Sequence, residues 1–158
     1  MATVLMVCTG NICRSPMAAA LLRRQLERDE ERSDWRVISA GTWASEGRRA
    51  SGDAIEEMES RGLDIRSHRS RSVDQSLMEQ ADLVLVMTRN HAEALTVTFP
   101  DQAEKVHLLS KMVGEAYDIP DPYGGTRLEY AGVARELEEL IDQGYERIVS
   151  LAERGASS

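Results

Sequence analysis

Residues 4–22, VLMVCTGNICRSPMAAALL, place a nucleophile and a cation at a fixed spacing between two apolar segments. Cys8 ends the first apolar segment, and Arg14 stands just before Ser15 and Pro16, where the second begins. A cysteine thiolate can attack phosphorus, and the planar guanidinium of an arginine can hold a phosphate-like oxyanion through two parallel hydrogen bonds. The pattern therefore indicates a nucleophile and an oxyanion holder that converge on one tetrahedral anion.

The segment that joins the two groups has the features of a strand that turns into a helix. Ser15 and Pro16 are typical of a helix start, because serine is a good N-cap and proline suits the first helical position. The backbone N–H groups of the preceding loop and the helix dipole then favour a bound anion and the thiolate form of Cys8. Gly10 is expected to supply a positive φ, which Asn11 also tolerates.

The remaining chain alternates strand-like and helix-like segments, a pattern that predicts a parallel sheet covered by helices on both faces. We predict one α/β domain over residues 1–158, with three layers, a four-stranded parallel sheet, a phosphate-binding loop after the first strand and a disordered tail at 155–158. The predicted strands are 3–7, 35–39, 82–87 and 105–109, and the predicted helices are 16–30, 51–61, 90–97 and a last amphipathic helix whose apolar stripe runs from 130 to 151.

Composition limits the classes of partner. The formal net charge of −8 argues against nucleic-acid binding, for which a basic stripe is expected. No apolar run is long enough to cross a membrane, and no N-terminal segment has the pattern of a secretory signal. Two cysteines five positions apart, Cys8 and Cys13, cannot form a disulfide framework. We therefore expect a cytoplasmic protein without membrane or nucleic-acid partners.

Other sequence motifs that bind phosphate, cofactors or metals are absent. No Gly-Lys pair occurs, so there is no nucleotide-binding phosphate loop, and no G-x-G-x-x-G follows a predicted strand. Cys-x-x-Cys and His-Glu-x-x-His are also missing, and the three histidines and two cysteines do not form a plausible zinc site. The predicted chemistry needs neither a metal nor a cofactor. His91, His107 and Trp35 are interpreted as structural residues.

A late loop, residues 113–126 (VGEAYDIPDPYGGT), supplies a candidate proton donor. Asp121 lies beside a proline there, and a phosphate monoester needs a proton on its departing oxygen. Cys13 has two interpretations. It is expected to fill space in the core, and the alternative is a resolving thiol that forms a reversible disulfide with Cys8.

With these motifs, the sequence resembles the low-molecular-weight protein tyrosine phosphatases. VCTGNICRSP matches their Cys-x5-Arg-Ser signature near the amino terminus, and DPYG in the late loop is a second match. The segments WRVISAGT and LDIRSHRSRSV are similar to the family at corresponding places, so the resemblance covers essentially the whole chain. DPYGG and the acidic helix after it are most similar to a bacterial branch that includes the protein arginine phosphatases.

The resemblance implies a role for each matching residue. Cys8 would form a phosphocysteine, and Asp121 would protonate the leaving oxygen and then activate water. Ser15 would donate its hydroxyl to the thiolate, and Asn11 would hold the loop through supporting residues on later segments. The supporting residues would be Ser39 and His68, and the oxygens of the phosphate would be held by Thr9, Gly10, Asn11, Ile12, Cys13, Arg14 and Ser15.

The entrance to the site bears on the choice of substrate. The resemblance implies an entrance formed by Ile12, Trp43 and Tyr123, which would suit an aromatic leaving group. In the arginine phosphatases the position of Ile12 is typically threonine, so we favour phosphotyrosine on proteins and keep phosphoarginine as the alternative. Gly124 replaces the second aromatic residue of the family's Asp-Pro-Tyr-Tyr segment. Phosphate, vanadate or sulfate would compete as simple oxyanions.

Two further classes are weighed against a phosphatase. A thioredoxin-linked arsenate reductase on the same scaffold relays oxidation through cysteines far downstream, and this chain has none after Cys13. A module that only binds phosphate groups would keep Arg14 and the loop but has no use for both Cys8 and Asp121. These features favour an enzyme.

Overall fold

The computed structural model describes residues 1–158, and its centre is one sheet of four parallel strands. The strand order is β2-β1-β3-β4, which places β1 between two partners and confirms the predicted α/β class. The register pairs Cys8 of the first strand with Gly41 of the second, so both strands end at the same edge. The strands are β1 (Thr3–Cys8), β2 (Arg36–Gly41), β3 (Leu83–Val86) and β4 (Val106–Leu108).

Five α-helices cover the two faces of the sheet. They are α1 (Arg14–Glu27), α2 (Gly52–Glu59), α3 (Gln75–Gln80), α4 (Arg89–Thr98) and α5 (Arg127–Ser157), and short 3-10 helices span Pro100–Lys105 and Leu109–Val113. The short α3 was not predicted, because its six residues are too few to show a helical period. Its N-cap is Asp74, whose carboxylate accepts a hydrogen bond from the N–H of Leu77. No helix is long and apolar enough to cross a membrane.

The strands separate two hydrophobic cores because successive side chains point to opposite faces. Val4, Met6 and Cys8 belong to a core of 33 buried residues that also includes α1, α2 and α5. Leu5 and Val7 belong to a core of 11 residues that includes side chains of α3 and α4. Cys8 therefore has its backbone fixed in the central strand and its side chain on the side of α1.

The start of α1 differs from the prediction. The helix begins at Arg14, and Cys13 occupies the N-cap position without a side-chain cap. Ser15 is therefore not the cap, which leaves its hydroxyl available for other contacts. Pro16 occupies the third helical position, where its missing N–H costs nothing because the first turn of a helix has no internal acceptors.

The last helix is longer than its apolar stripe indicates. It continues to Ser157, so residues 155–157, which we expected to lie in a disordered tail at 155–158, are helical instead. Gly155 explains the extension, because a Cβ there would lie 2.1 Å from the carbonyl oxygen of Asp82. The bare backbone of the helix thus packs directly on the segment that enters β3.

Two further glycines of α5 provide a matched test of a second close contact of this helix, between Gly144 and Met112 of the 3-10 helix Leu109–Val113. We expect Gly144→Ala to lower the free energy of unfolding by about 1–3 kcal/mol, because the added Cβ would lie 2.6 Å from the Cβ of Met112. Gly132→Ala has open space around it and should stabilise the protein by about 0.5–1 kcal/mol, since alanine favours a helix. Urea unfolding measures both, and an unchanged or higher stability for Gly144→Ala would contradict the close contact.

Candidate active site

The loop of residues 9–13 connects β1 to α1 with its peptide groups in a consistent orientation. The carbonyl oxygens of Thr9, Asn11, Ile12 and Cys13 accept hydrogen bonds from the protein, whereas the backbone N–H groups of residues 9–13 donate to no acceptor in the protein. These N–H groups and the start of α1 therefore form a cradle with the polarity that an anion requires. The backbone donors to the loop and its flanks are Thr42 to Cys8 (2.9 Å), Trp43 to Thr9 (3.0 Å) and Ser51 to Ile12 (2.9 Å).

Asn11 holds the loop in this conformation. Its φ of 57° makes it the one residue other than glycine with a positive φ, and Gly10, for which we predicted this, does not have one. The Asn11 amide group donates to the Ser15 hydroxyl at 2.8 Å and to the Ser39 hydroxyl at 3.0 Å. Its side-chain oxygen accepts the N–H of Arg71 at 3.0 Å. These contacts compensate for the conformation, which is unfavourable for most residues.

His68 contacts the same residue from the other side. Its Nε2 lies 2.7 Å from the carbonyl oxygen of Asn11 and donates to it, because a carbonyl can only accept. Burial lowers the pKa of His68, and neighbouring arginines add to the effect. A neutral imidazole with its proton on Nε2 therefore supports the loop. The structure thus brings both predicted supporting residues, Ser39 and His68, to Asn11.

Ser15 places a hydroxyl group beside the cysteine. The Cys8 Sγ lies 3.0 Å from the Ser15 Oγ, and both groups are buried. The Ser15 oxygen accepts the amide N–H of Asn11 at 2.8 Å, and the hydroxyl also lies 3.5 Å from the carbonyl oxygen of Ala40. A Cys8 thiolate has no hydrogen, so toward it the Ser15 hydroxyl can only donate. A hydroxyl donor at this distance stabilises a thiolate.

Arg14 is buried, with its guanidinium anchored on two sides. One Nη1 hydrogen is donated to the carbonyl oxygen of Ile119 at 2.8 Å, and Nη2 donates to the Thr9 hydroxyl at 3.4 Å. Nη2 also lies 3.6 Å from a carboxylate oxygen of Asp121. Arg14 has more N–H donors than these contacts use, so the fork can still bind an oxyanion.

A cavity of about 190 Å³ brings the three candidate catalytic residues together. Only 2% of Cys8 is exposed, which is consistent with a thiol at the bottom of the cavity. Arg48, which the sequence analysis did not single out, lines the cavity, but Trp43 does not and is 86% exposed. The lining residues are Cys8, Thr9, Gly10, Ile12, Cys13, Arg14, Arg48, Asp121 and Tyr123.

The two aspartates of the late loop have different surroundings. Asp121 is half-exposed at the cavity, and its Oδ1 accepts the N–H of Tyr123 at 3.0 Å. Asp118 instead forms an ion pair with Arg89, whose Nε lies 3.2 Å from the carboxylate. Hydrogen bonds from the Arg89 backbone and side chain lower the pKa of Asp118. Only Asp121 is therefore placed to exchange a proton with a bound group.

Cys13 makes polar contacts in addition to filling space in the core. Its Sγ lies 3.2 Å from the Tyr130 hydroxyl and 3.5 Å from the Ser51 hydroxyl, and burial raises the pKa of this thiol. Both cysteines are free thiols in the structure. The side chain thus packs between the loop and α5 with polar partners.

His91 contacts the site although it looked structural from the sequence. Its Nε2 lies 2.8 Å from the hydroxyl of Thr9, and its Nδ1 accepts the N–H of Thr88 at 3.1 Å. Burial, with the nearby charge of Arg14, lowers the pKa of His91 to about 4. The available signal was a threonine three residues before a histidine at the start of a predicted helix, which is a capping pattern.

Gly41 is a second residue that the sequence analysis missed. A Cβ on this residue would lie 2.3 Å from the carbonyl oxygen of Thr9, so the loop passes directly over the end of β2. No group of three or more histidine, cysteine, aspartate or glutamate side chains is placed to hold a metal ion.

These features define an α/β protein with a cysteine-containing anion cradle at the carboxyl edge of its sheet. Residues 3–152 match the family model described as low molecular weight phosphotyrosine protein phosphatase. The chain belongs to this family, as its sequence motifs indicated.

Three relatives illustrate the range of the family. A probable low molecular weight protein-tyrosine-phosphatase, EpsP of Ralstonia solanacearum, is 38% identical over 94% of this chain and 97% of its own. A protein-arginine-phosphatase of Geobacillus stearothermophilus is 40% identical over 92% of this chain and 95% of its own. A structure of the YwlE arginine phosphatase, a cysteine-to-serine mutant with a phosphorylated active-site serine, has a TM-score of 0.87 and 37% identity, covering 92% of this chain and 95% of its own.

The low pKa of His91 predicts a pH dependence of stability. An ordinary histidine titrates near 6.5, so in acid the unfolded chain takes up this proton before the folded protein does. The contribution of His91 to stability is therefore complete above pH 6.5 and falls as the pH drops toward about 4, by about 3 kcal/mol in total.

The measurement is guanidinium unfolding at several pH values between 6.5 and 4 for wild type and His91→Gln. The variant should lose less stability than wild type over this range. Because the other titrating groups are common to both proteins, parallel curves would contradict a neutral, buried His91.

Proposed function

We propose that this protein is a protein tyrosine phosphatase that hydrolyses phosphotyrosine through a phosphocysteine intermediate. One observation carries the proposal: a sulfur with a hydroxyl donor 3.0 Å away shares a cavity with a buried arginine and a half-exposed aspartate. Nucleophile, oxyanion holder and proton donor are the three groups that a double displacement at phosphorus needs.

In the first step the Cys8 thiolate attacks phosphorus and the bond from phosphorus to the phenolic oxygen breaks. Asp121 gives its proton to that oxygen, which leaves as the tyrosine hydroxyl. Arg14 and the N–H groups of residues 9–15 hold the three equatorial oxygens, where charge accumulates in the transition state.

In the second step water attacks the phosphocysteine. Asp121, now a carboxylate, accepts a proton from that water, and the bond between phosphorus and sulfur breaks. The hydroxyl of Ser15 stabilises the departing thiolate of Cys8, from which it lies 3.0 Å away. The products are inorganic phosphate and the regenerated thiolate, and no metal or cofactor takes part.

The walls of the cavity support phosphotyrosine over phosphoarginine. Ile12 is apolar and 6% exposed, so it offers no hydrogen bond to a guanidinium group, whereas Tyr123 presents a ring that is 60% exposed. Arg48 adds a positive charge to the cavity lining, which disfavours a cationic leaving group and can stack on an aromatic one. The arginine phosphatase activity of similar proteins keeps phosphoarginine as the second candidate.

The same chemistry defines the partners and the compartment that we propose. The substrate is a phosphorylated protein. Phosphate, vanadate and sulfate compete for the cradle because each of them is a tetrahedral oxyanion. A catalytic thiol needs reducing conditions, so the cytoplasm is the proposed location. Trp43 remains a candidate for contacts with the rest of a substrate, outside the cavity itself.

Asp121→Ala should lower kcat for p-nitrophenyl phosphate by about 10²–10⁴-fold, because the departing oxygen loses its proton donor. Vanadate binding should remain, since the cradle is intact. Asp118→Ala is the matched control, because Asp118 lies in the same loop but pairs with Arg89, and its kcat should stay near wild type. Cys8→Ser should abolish turnover. Wild-type turnover in Asp121→Ala would remove this aspartate from the mechanism.

Hydrolysis of matched phosphotyrosine and phosphoarginine peptides tests the choice of substrate. Wild type should prefer the phosphotyrosine peptide in kcat/KM. Ile12→Thr should shift the ratio toward phosphoarginine by about tenfold, because the new hydroxyl can bind the guanidinium. Ile12→Val keeps the apolar character and serves as the control. A wild-type preference for phosphoarginine would replace the first candidate with the second.

A further inference from the structure

The orientation of Arg14 depends on two acceptors, the carbonyl oxygen of Ile119 at 2.8 Å and a threonine hydroxyl whose position is set from elsewhere. Nη2 of Arg14 donates to the Thr9 oxygen at 3.4 Å. A hydroxyl can rotate, so Thr9 could also turn its hydrogen toward the guanidinium, where it would meet another donor. A second donor on the other lone pair of the Thr9 oxygen is required to hold this acceptor in place beside Arg14.

His91 satisfies this requirement because its tautomer is defined by the backbone. The N–H of Thr88 donates to Nδ1 of His91 at 3.1 Å, so Nδ1 cannot carry the proton of the neutral ring. The proton is therefore on Nε2, which lies 2.8 Å from the Thr9 hydroxyl and donates to it. A continuous chain of hydrogen bonds runs from the start of α4 to the guanidinium of Arg14.

Helix capping alone does not account for this arrangement. At the third position of a helix, a glutamate or glutamine completes the capping box with one acceptor. His91 provides that acceptor with Nδ1 and uses its second nitrogen for Thr9, a residue that lines the cavity. The residue is also only 4% exposed, and such burial is unfavourable for a group that could otherwise be charged.

We propose that His91 is a positioning residue for the phosphatase reaction, which acts through the Thr9 hydroxyl to hold the guanidinium of Arg14 in the orientation that binds the phosphoryl oxygens. The inference rests on the proposed function of the cavity. It assigns to β3 and α4 a part in catalysis, alongside the loop after β1 and the late loop.

The neutral form of His91 is required for this role. A protonated ring would carry a hydrogen on Nδ1 facing the N–H of Thr88, and would add a positive charge beside Arg14. The charged groups that face His91 are Arg14, Asp118 and Asp121. Burial and Arg14 lower the pKa of His91 to about 4, so the neutral ring persists over the range in which a thiolate is a useful nucleophile.

The experiment compares His91→Gln, Thr9→Val and the double variant with wild type, on p-nitrophenyl phosphate and with vanadate as the inhibitor. Glutamine can keep the capping acceptor but loses the donor to Thr9. We expect each single variant to lower kcat/KM by about tenfold, the loss that follows from one hydrogen bond to the site. The inhibition constant for vanadate, which resembles the transition state, should rise in parallel.

The loss of kcat/KM in the double variant should be no larger than the loss in the more damaging of the two single variants, because both changes interrupt the same chain of hydrogen bonds. Thr9→Ser keeps a hydroxyl and should retain more activity than Thr9→Val. His107→Gln is the matched control, since this histidine lies on β4 away from the cavity, and it should keep wild-type activity. Circular dichroism establishes that each variant is folded at the assay temperature.

Two outcomes would overturn the proposal. One is a folded His91→Gln protein with kcat/KM within twofold of wild type, and the other is a loss in the double variant equal to the product of the single losses. Failure of the proposed function gives a different result, because wild type and Cys8→Ser would then be equally inactive on p-nitrophenyl phosphate.

Discussion

The polarity of the loop between β1 and α1 is the constraint on which the site depends. An anion and a thiolate are both stabilised by N–H groups, so the carbonyl oxygens of the loop must be satisfied elsewhere. The sheet provides for this, because β2 ends beside β1 and the segment after it donates to the loop carbonyls. Gly41 allows the close approach, and Asn11 accepts the left-handed conformation that turns the chain into α1.

Groups that can only donate or only accept set the direction of the hydrogen bonds in the site. The amide nitrogen of Asn11 can only donate to the Ser15 oxygen, and a Cys8 thiolate, which has no hydrogen, can only accept from the Ser15 hydroxyl. The backbone N–H of Thr88 likewise can only donate, which makes the second nitrogen of His91 a donor toward Thr9. Two rotatable hydroxyls thus acquire defined roles, one toward the sulfur and one toward Arg14. Preorganised dipoles of this kind need no reorientation during the reaction.

Local groups, and not the charge of the whole protein, create the affinity for an anion. The chain has a formal net charge of −8, yet the cavity contains a buried arginine, a second arginine and the N–H groups of a helix start. Arg14 can be buried because Ile119 and Thr9 accept its hydrogens and Asp121 lies close by. In the mechanism that we propose, the same aspartate is the proton donor, so the group that balances the arginine in the free protein would also take part in the chemistry.

The sequence by itself determined the class of fold and the family, and it predicted the residues that we propose to react, because these leave short-range signals. Alternating apolar segments indicate the sheet, and the spacing of Cys8, Arg14 and the Asp121 loop indicates the chemistry. Tertiary structure alone decided that His91, which is 82 residues from Thr9, supports the cradle, that Arg48 replaces Trp43 in the cavity wall, and that Asn11 has the positive φ. These outcomes depend on which segments the parallel strands bring to one edge of the sheet. Residues far apart in the chain meet there, and no local sequence pattern indicates that they will.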